Sequence, residues 1–394
     1  MRLFYPVLIA LIFLICWVNW RLLVKWYPRP YPSWFRYGYW LITLAACSSI
    51  SYSWLTRFNL PLYQWLSPMA YPGFIWVTGE IVLLVCFPLL FVVRRLVRGT
   101  CNEPETEPSE GLTVTRRAFL QNTLYAVPVL AFVPSTFGVC SAEATMTVRR
   151  LNLSWQELPT AFNGLKIAQI SDTHLGPYFN LGRLDYVLRL VKKEKPDLVV
   201  ITGDLIDDLD LLTASVDKLT KLAATIPFGM FFCWGNHEYF RDVNRIRREL
   251  AKSPVTILEN TSVPLQSGGE SLYLLGVDYP RTNSATEREM LRHKFMEKAV
   301  VDVPAGAFQI LLAHHPDFLF DGFARRIPLT LAGHTHGGQV RVFGHSLLPV
   351  HYDFMGGLYQ ENETYGYVNI GAGQWFPFRL GCPPEISIFT LKNS

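Results

Sequence analysis

Five short segments each set a metal-ligating residue type beside glycine or aspartate directly after an apolar run: Ser171-Asp172-Thr173-His174, Gly203-Asp204, Gly235-Asn236-His237-Glu238, His314-His315-Pro316-Asp317 and Gly333-His334-Thr335-His336. Aspartate, asparagine and histidine form a mixed nitrogen and oxygen donor set, which suits manganese, iron or zinc better than calcium or magnesium. No cysteine falls in any of the five, so a structural thiolate zinc site is not indicated. Two divalent ions held roughly 3.5–4 Å apart clamp the attacking and leaving oxygens of an in-line phosphoryl displacement and lower the pKa of bound water to about 7. Such a pair needs one carboxylate that touches both ions, and Asp204 is the expected bridge. Asp172, His174 and His336 are expected to complete the shell of the first ion, and Asn236, His314 and His334 that of the second. The spacing of Asp172-x-His174 and of His334-x-His336 would put both members of each pair on one side of an extended backbone.

His237 follows Asn236 directly, so it is expected to point away from the ions' equatorial shell and to meet the phosphate, stabilising developing charge or protonating the leaving oxygen. Asp207, three residues after Asp204, is placed to hold the tautomer of that imidazole through its other nitrogen. These two are the candidate catalytic residues.

The apolar runs that precede the segments read as strands: Leu165–Ile170, Leu198–Ile201, Met230–Trp234, Phe308–Ala313 and Leu329–Ala332. Three- and four-residue apolar spacing over Leu181–Lys195, Leu212–Thr225, Asp242–Lys252 and Thr286–Val300 predicts helices. Strands alternating with helices are the signature of βαβ units. All five strands would deliver their ligands to one edge of a sheet, where open α/β folds bind ligands.

The motifs Asp-x-His, Gly-Asp-x-x-Asp, Gly-Asn-His-Glu, His-x-Pro-Asp and Gly-His-x-His, in this order, resemble the calcineurin-like metallophosphoesterases. The resemblance covers roughly residues 150 to 394. It extends to Tyr367-Val368-Asn369-Ile370-Gly371-Ala372-Gly373 and Cys382-Pro383-Pro384-Glu385-Ile386, which look like the membrane-associated bacterial subgroup. It implies a four-layer α/β/β/α sandwich, a dinuclear centre with the ligands named above, and metal-bound hydroxide as nucleophile. Tyr279 stands where that subgroup commonly has a second acid, and His315 stands beside the fourth ligand; both bear on substrate preference and neither removes a ligand. A lone Asp-x-His or Gly-Asp turn arises by chance in many chains, but five such segments in order at strand ends leave chance little room. Neighbouring strand residues face opposite ways, so only one of His314 and His315 can coordinate. The resemblance selects His314 and leaves His315 as lining, while His293, His345 and His351 have no partner motif.

The first 140 residues carry a different composition. The chain of 394 residues is 50% hydrophobic and 14% aromatic, above an ordinary soluble domain. The excess lies in four runs near the length that crosses a bilayer core, about 20 residues: Leu3–Trp20, Tyr37–Leu55, Phe74–Val93 and Ala118–Val139, the last interrupted by Pro128 and Pro134. A membrane region at 1–140 and a catalytic domain at 145–394 are therefore expected. Arg21, Lys25, Arg29 and Arg36 crowd the first loop and Arg94, Arg95, Arg98, Arg116 and Arg117 the third, against Arg57 alone in the second. The positive-inside bias then predicts a multi-pass cell-membrane protein with its catalytic domain extracytoplasmic. The net charge of +4 reflects these loops. No basic stretch interleaves with stacking aromatics, so no nucleic acid is expected.

Thr115-Arg116-Arg117-Ala118-Phe119-Leu120 resembles a twin-arginine export signal and reads equally as a charged stop beside a membrane helix. Ala142-x-Ala144 has the pattern of a signal-peptidase site, and Val139 before Cys140 argues against a lipoprotein anchor. The seven cysteines lack framework spacing. Glu80 inside the third span reads as an acid facing neighbouring helices rather than as part of a transport path.

Together these features predict a hydrolase that splits a phosphomonoester, phosphodiester or pyrophosphate, lipid-linked in one version, using two divalent ions at the outer membrane face. Oligomeric state is left open. The alternative is a non-catalytic membrane protein that uses the fold as a metal-stabilised sensing or interaction domain. The full ligand set together with His237 favours the enzyme, because a binding module needs no residue aimed at a leaving group.

Overall fold

The computed structural model describes residues 4–26, 31–55, 63–99, 126–144, 146–347 and 352–394. The chain divides into two compact units, Met1–Cys140 and Ser141–Ser394.

The first unit is helical: α1 Phe4–Trp26, α2 Ser33–Leu55, α3 Tyr63–Gly99 and α4 Phe132–Ala142, whose last turn passes the unit boundary. Among the described residues, two helices are long and apolar enough to cross a membrane, over Pro6–Trp26 and Met69–Val92. The expected span at 37–55 is helical within α2, but Ser48, Ser49, Ser51 and Ser53 dilute its apolar character. The expected fourth span lies partly, and the twin-arginine motif wholly, outside the described residues. The described apolar helix, Ala126–Ala142, reaches only about 25 Å at 1.5 Å per residue, short of a roughly 30 Å hydrocarbon core. Glu80 is buried and accepts hydrogen bonds from Asn19 Nδ2 at 2.6 Å and the Tyr39 hydroxyl at 3.1 Å, so α1, α2 and α3 share one polar contact.

The second unit stacks two six-stranded sheets between helices. Sheet one orders β1 (Thr147–Trp155), β14 (Glu385–Asn393), β2 (Lys166–Ile170), β3 (Leu198–Thr202), β4 (Met230–Cys233) and β5 (Val255–Ile257). Sheet two orders β12 (Gly357–Glu361), β13 (Thr364–Val368), β9 (Leu329–Ala332), β8 (Phe308–Leu312), β7 (Glu270–Gly276) and β6 (Thr261–Ser267). The central neighbours β2, β3, β4 and β13, β9, β8, β7 run parallel.

Period-two alternation explains the layering. Along β3 and β4, Val199, Ile201, Met230 and Phe232 face one core, while Leu198, Val200, Phe231 and Cys233 face another. The first core is closed by α5 (Leu181–Glu194), α6 (Leu212–Ala223) and α8 (Val243–Leu250), through residues such as Leu184, Leu219 and Ile246. The second lies between the sheets and includes Ile310, Leu312, Leu329 and Leu331 of sheet two. Leu275 and Leu311 turn outward onto α9 (Ala285–Ala299) and α10 (Phe318–Ala324). The result is a helix, sheet, sheet, helix arrangement. Because β2, β3 and β4 run parallel, as do β8 and β9, the loops that follow them emerge on one edge. The short helix α7 (Asn236–Phe240) starts there, and the hairpin of β10 (Arg341–Val342) and β11 (His345–Ser346) stands beside it.

Candidate metal centre

The turns at the ends of β2, β3, β8 and β9 and the start of α7 bring all seven candidate ligands together. Around one position, His174 Nε2 and His336 Nε2 lie 3.0 Å apart, and Asp172 Oδ1 is 4.0 Å from the first and 3.6 Å from the second. Around the other, His314 Nε2 lies 3.1 Å from both Asn236 Oδ1 and His334 Nδ1. Asp204 Oδ2 stands between the two groups, 3.6 Å from His174 Nε2 and 3.2 Å from His314 Nε2.

The backbone explains how neighbours two residues apart reach these places. Extended alternation was the expected device for Asp172/His174 and His334/His336, and it is not the one used. Asp172, His174, Asp204, His334 and His336 all have φ between 47° and 77°, a left-handed conformation that side chains with a Cβ rarely adopt. Each such residue carries strain of order 1–3 kcal/mol, which persists only where surrounding structure enforces it. Enforcement is visible: Glu238 accepts hydrogen bonds from the backbone N–H groups of Asp204, Leu205 and Gly235 at 2.7–3.1 Å, tying the β3 and β4 turns together. A Cβ on Gly235 would strike Asp204, so the close approach of those turns requires glycine.

The donor set fits divalent cations. The His314 Nδ1 lies 2.7 Å from the Thr202 carbonyl; a carbonyl only accepts, so in the neutral ring the Nε2 lone pair faces Asp204, Asn236 and His334. Burial pushes the His334 imidazole down to about 3, helped by the neighbouring His314, so it stays neutral and offers a lone pair. Burial opposes charge on His314 too, but Asp204 and Asp172 outweigh it and push that group up to about 10. Two buried carboxylates facing four imidazoles thus draw positive charge into the cluster, the demand a metal ion meets.

Asp207 lies behind this layer. Its Oδ1 is 2.6 Å from His237 Nδ1 and its Oδ2 3.3 Å from His174 Nδ1, so it serves two imidazoles where the sequence pointed to one. Burial opposes ionisation, yet His237 and His174 hold the Asp207 carboxyl well below its usual range. Asp207, His174 and His237 also cluster closely enough to suggest a third ion. Arg241 already neutralises that carboxylate, with Nη2 3.2 Å from Oδ1 and Nε 2.6 Å from the Asp207 carbonyl. His237 is nearly buried and faces a cleft of about 310 Å³ lined by His174, Asp204, Asn236, His334 and His336.

Several residues at the site escaped the sequence reading. The Tyr352 hydroxyl lies 2.9 Å from His334 Nε2, leaving Nδ1 to face the cluster. Arg379 is fully buried. Its Nη2 donates to the carbonyls of Ile370, Gly371 and Gly373 and touches His336 Nδ1 at 3.0 Å. No local signal marks an arginine as buried when its acceptors are carbonyls of a loop. That loop in turn grips the β2 turn, with Ala372 N and Gly373 N donating to Ser171 O and Asp172 O at 2.8 and 2.9 Å. Trp375 and Phe376, on the segment that leads to Arg379, line the cleft. Tyr279 packs its ring at 5.6–5.8 Å from His314, His315 and His334. His315 is buried and accepts from Asp317 N at 3.2 Å. His293 pairs with Asp321 at 3.1 Å, His345 sits on the β10–β11 hairpin, and His351 lies outside the described residues.

Carboxylate, amide and imidazole donors gathered at the strand ends of a two-sheet sandwich define a candidate metal-binding hydrolase site. Residues 165–338 match the calcineurin-like phosphoesterase family, and the chain belongs to that family, whose members are hydrolases. It is 33% identical over 251 residues to an uncharacterized metallophosphoesterase, YkuE, of Bacillus subtilis, covering 60% of this chain and 82% of that one. It is 31% identical over 255 residues to an uncharacterized metallophosphoesterase of Aquifex aeolicus, covering 63% and 92%. A bovine relative, described as a transmembrane protein with metallophosphoesterase domain, is 34% identical over 298 residues, covering 71% of this chain and 64% of its own length.

Proposed function

We propose that the site holds two divalent ions, manganese, iron or zinc, and hydrolyses a phosphoester. Asp172, His174 and His336 would hold one ion and Asn236, His314 and His334 the other, with Asp204 placed between the two groups. The observation that carries this reading is the place of Asp204 Oδ2, within 3.6 Å of one imidazole from each group. Divalent ions bound there would supply Lewis-acid stabilisation of the phosphoryl oxygens and an acidified water. The chain does the rest. His237, facing the cleft, meets the leaving oxygen and gives it a proton from Nε2, Asp207 fixes the ring through Nδ1, and Arg241 fixes Asp207.

The membrane part follows the same reading. A membrane region spans 1–140 with about four passes, the catalytic domain 145–394 lies on the outer side, and the substrate is a head-group phosphodiester or pyrophosphate. The two long apolar helices, the arginine asymmetry of the loops, the description of the bovine relative and the aromatic wall of Trp375 and Phe376 support it. The test is a manganese-supplemented panel of soluble monoesters, diesters and nucleotides and of phospholipid or glycolipid phosphates, run on the wild type and on Asp204→Asn. Hydrolysis that survives in the variant overturns the metal assignment, and inactivity on every lipid overturns the membrane substrate alone.

A further inference from the structure

The hairpin β10–β11 carries a feature that neither packing nor the metal centre explains. Its two-residue turn is Phe343-Gly344, with φ of +49° and +84°. Turns with both central residues at positive φ favour asparagine and glycine, and a bulky ring there is an outlier. Phe343 is also 98% exposed. An apolar ring held in a strained conformation and offered wholly to water has a cost on both counts. Leu347, just past the hairpin, is 63% exposed as well. At the base, Arg341 bonds the Gly344 carbonyl through Nη2 at 2.9 Å, which braces the turn.

The hairpin is fixed to the mouth of the catalytic cleft. Gly338 and Gln339 line the cleft and run directly into β10. Arg341 N donates to Leu380 O at 2.7 Å and Leu380 N to Gln339 O at 2.8 Å, joining the hairpin to the segment that carries Trp375. Trp375, 40% exposed, lines the same cleft. Apolar tips backed by an arginine suit the bilayer interface, where a ring enters the acyl boundary and the cation stays at the head groups. The same chain carries apolar helices at Pro6–Trp26 and Met69–Val92, so a bilayer is the partner at hand.

We propose that the Arg341–Ser346 hairpin is a lipid-docking element: Phe343 enters the bilayer interface beside the cleft, and the phosphoester is taken from a lipid head group there. This rests on the phosphoesterase reading above, and its test is chosen to fail separately. Full-length protein is reconstituted in phosphatidylcholine vesicles as Phe343→Trp and as Val301→Trp. Val301 is an exposed apolar residue ahead of β8, at the sheet edge away from the metal centre. The tryptophan added at 343 is expected to emit to the blue of the one at 301 and to be quenched by phosphatidylcholine brominated on its acyl chains. Absence of quenching, or equal quenching at both positions, overturns the proposal whatever the catalytic result. In parallel, Phe343→Ser is expected to leave hydrolysis of a soluble aryl phosphodiester unchanged. Hydrolysis of a vesicle-embedded phosphodiester lipid should fall about tenfold or more, the scale of losing one buried aromatic side chain. Equal loss on both substrates would make the hairpin a structural support and overturn the docking role.

Discussion

The Asp207 carboxylate holds His237 by its Nδ1, at 2.6 Å, while its other oxygen faces the Nδ1 of His174. If Asp207 acts through the ring, Asp207→Asn lowers turnover about 10–100-fold, the usual scale for a residue that orients a ligand or an acid. The loss should grow with the basicity of the leaving group, because proton donation matters least for a p-nitrophenyl ester and most for an alkyl one. The double variant with His237→Gln should lose much less than the product of the two single losses, the remainder reflecting the His174 contact, since residues acting as a unit are not additive. Additive losses, or losses blind to the leaving group, would separate the two roles.

Asp204→Asn is expected to cost several orders of magnitude in activity and to reduce bound metal. His315→Ala should leave metal content intact, because the His315 Nδ1 is engaged by Asp317 N and contacts none of the Asp204 oxygens. Elemental analysis of both purified variants checks this. Two equivalents and normal turnover in Asp204→Asn would refute the shared-carboxylate assignment.

Tyr352→Phe removes one hydroxyl, 2.9 Å from His334 Nε2. The ring then loses the partner that sets which nitrogen faces the cluster, and affinity for the ion that His334 would hold should fall about tenfold. Calorimetric manganese titration reads this without any substrate. An unchanged isotherm would restrict Tyr352 to lining the cleft.

Arg379→Met leaves the carbonyls of Ile370, Gly373 and Cys382 without their donor around a fully buried position. Each orphaned group costs about 1–3 kcal/mol, so the fold should lose at least about 3 kcal/mol. For a unit of this size that lowers the melting temperature by roughly 6–12 °C, measurable by thermal denaturation followed by intrinsic fluorescence. A shift under a couple of degrees would show that water replaces the guanidinium.

Topology is open to reporter fusions. With four passes, an enzyme active only outside the cytoplasm should work when fused after Ser394 or at Pro61 and fail at Glu105, following the arginine asymmetry of the loops. Matching signals at Glu105 and Ser394 would remove the fourth pass.

The five chemistry-bearing segments were legible in the sequence because each sits at the end of an apolar run of strand length, and parallel strands can only present such ends on one edge. The helices α5, α6, α8 and α9 were legible from their apolar spacing, and they end within a few residues of their expected limits. Which nitrogen faces which oxygen was decided by the tertiary structure alone. His314 is oriented by Thr202, His334 by Tyr352, and His336 sits against Arg379. The first of these contacts spans 112 residues and depends on how the two sheets stack, which no local pattern encodes. The left-handed turns at Asp172, His174, His334 and His336 escaped for the same reason. A spacing of two suggests an extended strand, and only clamps such as Glu238 and the Ile370–Gly373 loop make the strained alternative the stable one. Burial of Arg379 and exposure of Phe343 reverse what their residue types suggest. In both cases position in the fold, beneath a ring of carbonyls or at the tip of a two-residue turn, outweighs the preference of the side chain.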